Sequence, residues 1–233
     1  SHMRKLVERL SQAEGRQLLV ATHSSMICSR LDLRKAALLG TEPSKRGALS
    51  DLSESTSKFF MKAPDNNVLQ CVLSKKVILV EGDAEFILFE ELYAKHAKGS
   101  TLAEDGVHVI SVGGTSFKRY LELARLLGVR VAVVRDNDKH WQKNCVDNYA
   151  EFRMDNARVF ADPDDARSTF EVCLYEDNKA LCDRLFGISR KSLSVLDYML
   201  ANKADVAFEL LDKGASELSA PKYIQDAIAW IRQ

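Results

Sequence analysis

The amino-acid sequence predicts an α/β fold, a Rossmann-like parallel sheet followed by a C-terminal helical cap. Short apolar runs alternate with amphipathic helical segments between residues 75 and 175, as in a parallel sheet with helices on both faces. The apolar runs are continuous, which fits strands buried on both faces. Beyond Tyr175 the strand signal ends and the apolar residues keep helical spacing.

The N-terminal part is less regular. Leu18–Ala21 is predicted to be a buried strand, and residues 36–39 fit a second short strand. The serine-rich segment 41–58 is interpreted as a linker or surface excursion. Residues 1–3, Ser-His-Met, are interpreted as the remnant of a removed tag.

The regular part has a strand over Val77–Val80, then a helix over Ala84–Ala97 with Phe86, Phe89 and Tyr93 on one side. The remaining strands are predicted over Val107–Val112, Val129–Val134 and Ala157–Ala161, with a helix over Phe117–Leu127. The cap is predicted from two helically spaced stripes, one of Leu193, Leu196 and Leu200 and one of Ile224, Ala227, Ile228 and Ile231.

Composition excludes several classes of protein. Of 233 residues, 46% are hydrophobic and 28% charged, so one large or two small globular domains are expected. No apolar run approaches the roughly 20 residues of a membrane helix, and no signal peptide is apparent. Five cysteines without C-x-x-C spacing indicate reduced thiols in the cytoplasm. The net charge of zero requires any nucleic-acid contact to be local.

Carboxylates follow two of the predicted strands directly. Glu81 ends the first and Glu85 lies one helical turn on, while Asp136 and Asp138 follow the third. Ligands of open parallel sheets bind beyond the carboxyl ends of the strands, so these acids are expected on one edge. Clustered carboxylates repel one another unless a cation is present, and hard oxygen ligands suit Mg²⁺ or Mn²⁺. A solvated rim, or charges favoured by a helix N-terminus, is the alternative.

The motifs "ILVEGDAE" and "VVRDND" resemble the two signatures of the Toprim domain, over roughly Ser74 to Tyr175. The resemblance implies a compact parallel α/β domain that binds divalent metal through the Glu and the Asp-x-Asp acids. Many Toprim proteins carry a third acid where this chain has His140.

The loop "THSS" resembles the switch-histidine loop of ABC-type ATPases, which precede the Toprim domain in OLD (overcoming lysogenization defect) nucleases. His23 would then contact ATP in the full-length protein only; an ordinary polar loop is the alternative. No Gly-rich phosphate loop occurs, so no ATP hydrolysis is expected from this chain. The expected divisions are an ATPase remnant with linker (4–63), the Toprim domain (64–175) and the helical cap (176–233).

The OLD resemblance extends to "ARSTFEVCLY", where Ser168 and Glu171 would complete a second metal site. Asp162, Asp164 and Asp165 are possible substitutes, or simply a solvated loop around a proline. Lys222 resembles the catalytic lysine of these nucleases, and a surface lysine is the alternative.

The segment "KHWQKN" offers the expected DNA contact through Lys139, Trp141 and Lys143. A buried anchoring role for Trp141 is equally compatible with the sequence.

The resemblance therefore implies a DNA endonuclease that uses two Mg²⁺ or Mn²⁺ ions about 3.5–4 Å apart. DNA is the expected partner, without a membrane, and a homodimer is considered for the full-length protein. A recombination mediator with a non-catalytic Toprim module is the alternative from another class. A phosphatase with Asp136 as nucleophile is a further one, but it leaves Glu81 and Glu85 unexplained.

Overall fold

The computed structural model describes Lys5, Arg9 and residues 19–24, 31–39, 47–62, 67–187 and 193–233. The chain divides into two compact units, Ser1–Leu73 and Ser74–Gln233. No helix in the described ranges is long and apolar enough to cross a membrane. The cysteines within those ranges (Cys71, Cys145, Cys173 and Cys182) are free and buried, whereas Cys28 lies outside them.

The described part of the first unit is helical. It contains 3₁₀ turns at Leu33–Lys35 and Ala48–Asp51, then helices α1 (Glu54–Lys62) and α2 (Val68–Leu73). The linker interpretation is therefore wrong for 47–58, where Leu49 and Leu52 are buried. A serine-rich segment can still fold when its few apolar residues fall at helical spacing.

The two N-terminal strands were also predicted wrongly. Residues 19–21 and 36–39 have no strand structure, and Leu19 is 86% exposed. Leu18 itself lies outside the described residues. A short apolar run becomes a strand only when a neighbouring strand accepts its backbone hydrogen bonds, and sequence periodicity does not reveal whether that neighbour exists.

The second unit confirms the predicted parallel sheet. Its strands are β1 (Lys76–Val80), β2 (Val107–Ser111), β3 (Arg130–Val134) and β4 (Ala157–Phe160), in the order β2-β1-β3-β4. Every adjacent pair is parallel, with Leu79 opposite Ile110 on one side and Val133 on the other. The connections are helices α3 (Asp83–His96) and α4 (Phe117–Leu127), then a π turn (Gln142–Val146) and a 3₁₀ helix (Asp147–Phe152).

Helix α3 buries Phe89 and Tyr93 as expected, but not Phe86. Leu88, Phe89, Leu92 and Tyr93 are fully buried, whereas Phe86 is half exposed. The buried positions run as adjacent pairs spaced by one turn, a wide stripe that leaves Phe86 on the solvent side. Tyr93 in this stripe donates to Asp105 Oδ2 at 2.7 Å.

The tail forms the predicted helical cap, although Leu193 of the predicted stripe lies outside its helices and is 51% exposed. Its helices are α5 (Phe170–Asp177), α6 (Lys179–Phe186), α7 (Val195–Ala201), α8 (Lys203–Gly214) and α9 (Lys222–Ile231). Helix α9 packs on β1, β3 and β4, and α8 packs along α3. Ile78, Val80, Ala132 and Val134 join these helices in one core, and the alternate residues of the strands face the opposite side.

The chain order makes the ends of β1 and β3 the switch point of the sheet. From β1 the chain proceeds to β2 on one side, and from β3 it proceeds to β4 on the other. The loops beyond the two central strands therefore diverge and leave a crevice at their carboxyl ends, the usual ligand site of such sheets.

Candidate functional site

Glu81 and Asp136 lie together at the switch point. Glu81 follows β1 directly, and its Oε2 accepts the Asp136 N–H beyond β3 at 3.4 Å. Burial raises the pKa of Glu81 even though the positive charge of Arg135 opposes the shift. The carboxyl ends of the two central strands therefore bring these predicted site residues into contact.

Glu85 and Glu171 complete a group of four carboxylates, and these two are buried whereas Glu81 and Asp136 are partly exposed. Glu85 in the first turn of α3 is 5% exposed, and Glu171 in α5 is 3% exposed. Burial, together with the charges of Glu171 and Glu81, raises the pKa of Glu85 to about 7. Burial, together with the charges of Glu85, Glu81 and Glu171, raises the pKa of Asp136 to about 8. We name Glu81, Glu85, Asp136 and Glu171 the acidic cluster.

Backbone contacts fix the end of β3 against the start of α5. Asp136 Oδ1 accepts the Phe170 N–H at 2.7 Å, so this carboxylate occupies the N-terminus of α5. The Ser168 carbonyl accepts the Asp138 N–H at 3.2 Å. Ser168 and Glu171 therefore lie beside the Asp-x-Asp segment, as the sequence predicts.

Asn137, between the two aspartates, was missed by the sequence reasoning. It is 1% exposed, and its Nδ2 donates to the carbonyls of Asp162, Asp164 and Arg167 at 2.9, 2.8 and 3.3 Å. A buried amide whose donors are satisfied in this way holds two loops in register. The role of Asn137 is thus to position the segment that carries Ser168 and Glu171.

Lys203 was also missed, although it is the cation bonded to the acidic cluster. This first residue of α8 places Nζ 2.9 Å from Glu171 Oε2. Burial lowers the pKa of Lys203, but the bond to Glu171 and the charges of Asp136 and Glu85 raise it above its ordinary value. The sequence places Lys203 32 residues beyond Glu171 without a motif, so only tertiary packing reveals the pair.

Tyr223 borders the same cluster from α9. It is buried, and burial together with neighbouring negative charges, among them Asp136 and Glu85, raises its pKa. In the sequence, Tyr223 adjoins the apolar stripe of α9, and nothing in its position indicated more than a core residue.

Asp138 and the residues after it face solvent. Asp138 is exposed with φ 52° and Lys139 has φ 64°, two consecutive left-handed residues. Asp138 Oδ2 accepts from Arg135 Nη2 at 2.8 Å. Lys139 and Lys143 are exposed and Trp141 is partly buried, so Trp141 is not a fully buried anchor.

The acids of the following loop have partners of their own. Asp162 Oδ2 accepts from Arg167 Nε at 2.8 Å, and Asp164 Oδ1 accepts the Ala166 N–H at 2.9 Å. Asp165 Oδ1 accepts the Trp141 N–H at 2.7 Å. Each of the three aspartates therefore has a hydrogen-bond donor in the protein, and their role as substitute metal ligands stays a prediction.

Lys222 is not hydrogen-bonded to the acidic cluster. Lys222 begins α9 with its side chain 75% exposed and bonded to Asp226. His23 is exposed in the first unit. Their roles as catalytic cation and ATP contact stay predictions.

The donor set of the acidic cluster fits a hard divalent cation, because it consists of carboxylate oxygens with too little positive charge around them. Its present arrangement does not enclose an ion: among the described residues, no group of three or more His, Cys, Asp or Glu side chains could hold one metal. Glu171 is bonded to Lys203 and Asp138 to Arg135, so two candidate ligands are turned to internal cations. Side-chain rotations that break those ion pairs would be needed for coordination.

Comparison with known proteins identifies the domain. Residues 72–138, from just before β1 to Asp138, match the family described as "Overcoming lysogenization defect protein-like, TOPRIM domain". No curated protein matches the chain.

Solved structures show the same fold. The C-terminal region of the Burkholderia pseudomallei OLD protein aligns with a TM-score of 0.56 at 20% identity, covering 69% of this chain and 98% of that one. The C-terminal region of the Xanthomonas campestris pv. campestris OLD protein gives 0.50 at 22% identity, covering 70% and 94%. The predicted resemblance and the Toprim-type fold are therefore confirmed, and the chain contains an OLD-like Toprim domain.

Proposed function

We propose that this chain is the nuclease part of a longer ATPase–nuclease and hydrolyses phosphodiester bonds of DNA with divalent metal ions. Toprim domains generally bind divalent metals, and Toprim nucleases act on DNA. The observation that carries the proposal is the acidic cluster at the switch point, where four carboxylates meet and, among the described residues, one side-chain ion pair joins the cluster to a cation, Lys203 to Glu171. These carboxylates are costly to ionise together, and a ligand cation would remove that cost.

Each predicted site residue then has a role. Glu81, Glu85 and Asp136 would hold one Mg²⁺ or Mn²⁺ ion, and Asp138, Ser168 and Glu171 would complete a second site. Bound divalent ions activate water and stabilise the leaving oxygen in such reactions. Asn137 would hold the loop before α5 in place, and Arg135 would hold the side chain of Asp138, through the bonds described above.

The exposed cations would act on the DNA. Lys139 and Lys143 would bind phosphates on either side of Trp141, against which a base could stack. Lys222 would neutralise charge in the transition state, which requires its side chain to leave Asp226.

Nicking of supercoiled plasmid tests the proposal. Purified chain is incubated with Mg²⁺, with Mn²⁺ or with EDTA, and relaxed and linear products are quantified over time. Asp136→Asn removes one charge of the cluster, and Asp177→Asn removes a matched charge from the Arg167 ion pairs. Metal-dependent nicking by the parent and Asp177→Asn, but not by Asp136→Asn, is expected; equal activity in EDTA would contradict the proposal.

The recombination-mediator alternative has one observation in its favour. Asp136, Asp138 and Glu171 are hydrogen-bonded to protein groups, as expected of acids that stabilise the domain. Strong DNA retention in a mobility-shift assay, without nicking under any metal condition, would favour that role.

A further inference from the structure

The ion pair of Lys203 and Glu171 differs from the other lysine pairs of the cap. The bonds Lys213–Glu209 and Lys222–Asp226 join residues one turn apart on exposed helix faces. Lys203 instead crosses from α8 to a carboxylate of α5 that is 3% exposed. Burial of a carboxylate without a counter-charge costs free energy. This ammonium is therefore part of the acidic cluster, unlike the lysines of the exposed pairs.

The ammonium is attracted by the same negative charges that would attract a bound cation. It is bonded to Glu171 Oε2, and its interaction extends to Glu81 and Glu85. Glu171 can still coordinate a metal ion through Oε1, but the ammonium on Oε2 and that ion would then share the negative charge of one carboxylate. Two cations held at adjacent positions also repel each other.

Lys203 can leave this position easily. Its side chain is about half exposed, and a lysine has a flexible four-carbon stem. Withdrawal of the ammonium into solvent therefore requires no movement of the helices, whereas Glu171 stays fixed in α5.

On the basis of the proposed metal function, we propose that Lys203 is an internal cation that competes with a divalent metal ion for Glu171. Without metal, Lys203 balances part of the charge of the acidic cluster and stabilises the fold. When metal binds, the ammonium is displaced, and the apparent metal affinity is reduced by the free energy of the lost ion pair.

Calorimetric titration with Mn²⁺ after treatment with EDTA tests the competition. Lys203→Gln removes the cation and Lys203→Arg keeps one, while Lys213→Gln removes a cation from an exposed pair as the matched control. A hydrogen bond to a charged group contributes about 1.5–3 kcal/mol, so Lys203→Gln is expected to bind Mn²⁺ about tenfold more tightly or better. Lys203→Arg and the control should remain within about threefold of the parent, too small a change to reflect loss of such a bond.

A melting curve in EDTA separates competition from a purely structural effect. Lys203→Gln should melt below the control, because Glu171 remains buried without its partner, and yet bind metal more tightly. A residue that only supports the site would lower both stability and metal affinity.

A second measurement is independent of the folding of the neutral variant. Lysines of the parent are ¹³C-dimethylated, and the Lys203 signal is assigned from its loss in Lys203→Arg. Addition of Mg²⁺ should move this signal towards the position of solvent-exposed lysines and leave that of Lys213 unchanged.

The outcomes distinguish the two proposals. Binding of Mn²⁺ by the parent, with equal or weaker binding by Lys203→Gln and a stationary Lys203 signal, overturns the competition and leaves the metal site intact. Binding by Lys203→Gln but not by the parent supports strong competition. Absence of binding in the parent and in every variant contradicts the metal site and with it the competition.

Discussion

Two neighbouring acidic regions of the second unit differ in how their carboxylates are paired with cations. In the loop before α5, Arg167 donates to Asp162, Glu176 and Asp177 at 2.7–2.8 Å, so each of these acids has a bond to one cation. In the acidic cluster, the bond of Lys203 to Glu171 is the one side-chain ion pair found within the described residues. The acids bonded to Arg167 are explained by the fold, whereas Glu81, Glu85 and Asp136 have no ion pair among the described residues and are candidates for a ligand cation.

The largest expected difference between the two regions is in catalysis. Asp136→Asn should reduce DNA nicking at least ~10²–10³-fold, because the site loses a preorganised charge. The same change should raise the melting temperature in EDTA above about pH 8, where Asp136 is ionised and repelled by Glu85 and Glu81. Nicking rate and melting temperature are measured for Asp136→Asn and Asp177→Asn together. Parental nicking by Asp136→Asn would remove this residue from the site.

Lys222 tests whether an exposed cation takes part in the reaction. If it is the catalytic cation, Lys222→Ala should reduce nicking by about 10²–10³-fold and leave Mn²⁺ affinity unchanged. The matched change is Lys213→Ala, which removes another lysine from an exposed one-turn pair. Nicking at the control rate would return Lys222 to the surface, where Asp226 already holds it.

Removal of Arg167 should affect stability more than chemistry. Arg167→Leu leaves Asp162 mostly buried without its charged donor, which should cost about 1.5–3 kcal/mol of unfolding free energy. Mn²⁺ affinity should change far less than in Asp136→Asn. Denaturant unfolding and calorimetry measure the two quantities, and a large loss of affinity with normal stability would show that the loop belongs to the site.

The pH dependence of stability gives the smallest expected effect. Without metal, the pKa of Glu85 is about 7 and that of Asp136 about 8, against ordinary values of 4.5 and 3.8. The folded state therefore binds more protons than the unfolded state between about pH 4 and pH 8, so stability is greatest at the acid end and falls as pH rises through this window. A fall of at least ~1.4 kcal/mol, equivalent to one pKa unit, is expected in EDTA. Asp136→Asn should flatten the profile, and an unchanged slope would argue against these shifts.

Much of the fold and part of the site could be predicted from the sequence. Strands such as Val131–Val134 are apolar over their whole length, so they could be recognised from the local sequence. Asp136 comes soon after this strand, so its position at the carboxyl edge of the sheet could be inferred as well. Lys203 and Tyr223 could not, because their relation to the acids depends on how α8 and α9 pack on α3 and the sheet. The strand expected at Leu18–Ala21 failed for the same reason, since strand formation depends on a partner.

The contrast between the two acidic regions depends on the binding of a divalent ion by the acidic cluster. Thermal melting against metal concentration tests this binding most directly. Mg²⁺ or Mn²⁺ at 100 times its dissociation constant should stabilise the parent by about 2.7 kcal/mol, or roughly 5–10 °C for a domain of this size. Asp136→Asn should show little of this shift, whereas Asp177→Asn should show all of it. A parent melting temperature that stays constant up to millimolar metal, or rises equally in Asp136→Asn, would contradict the account.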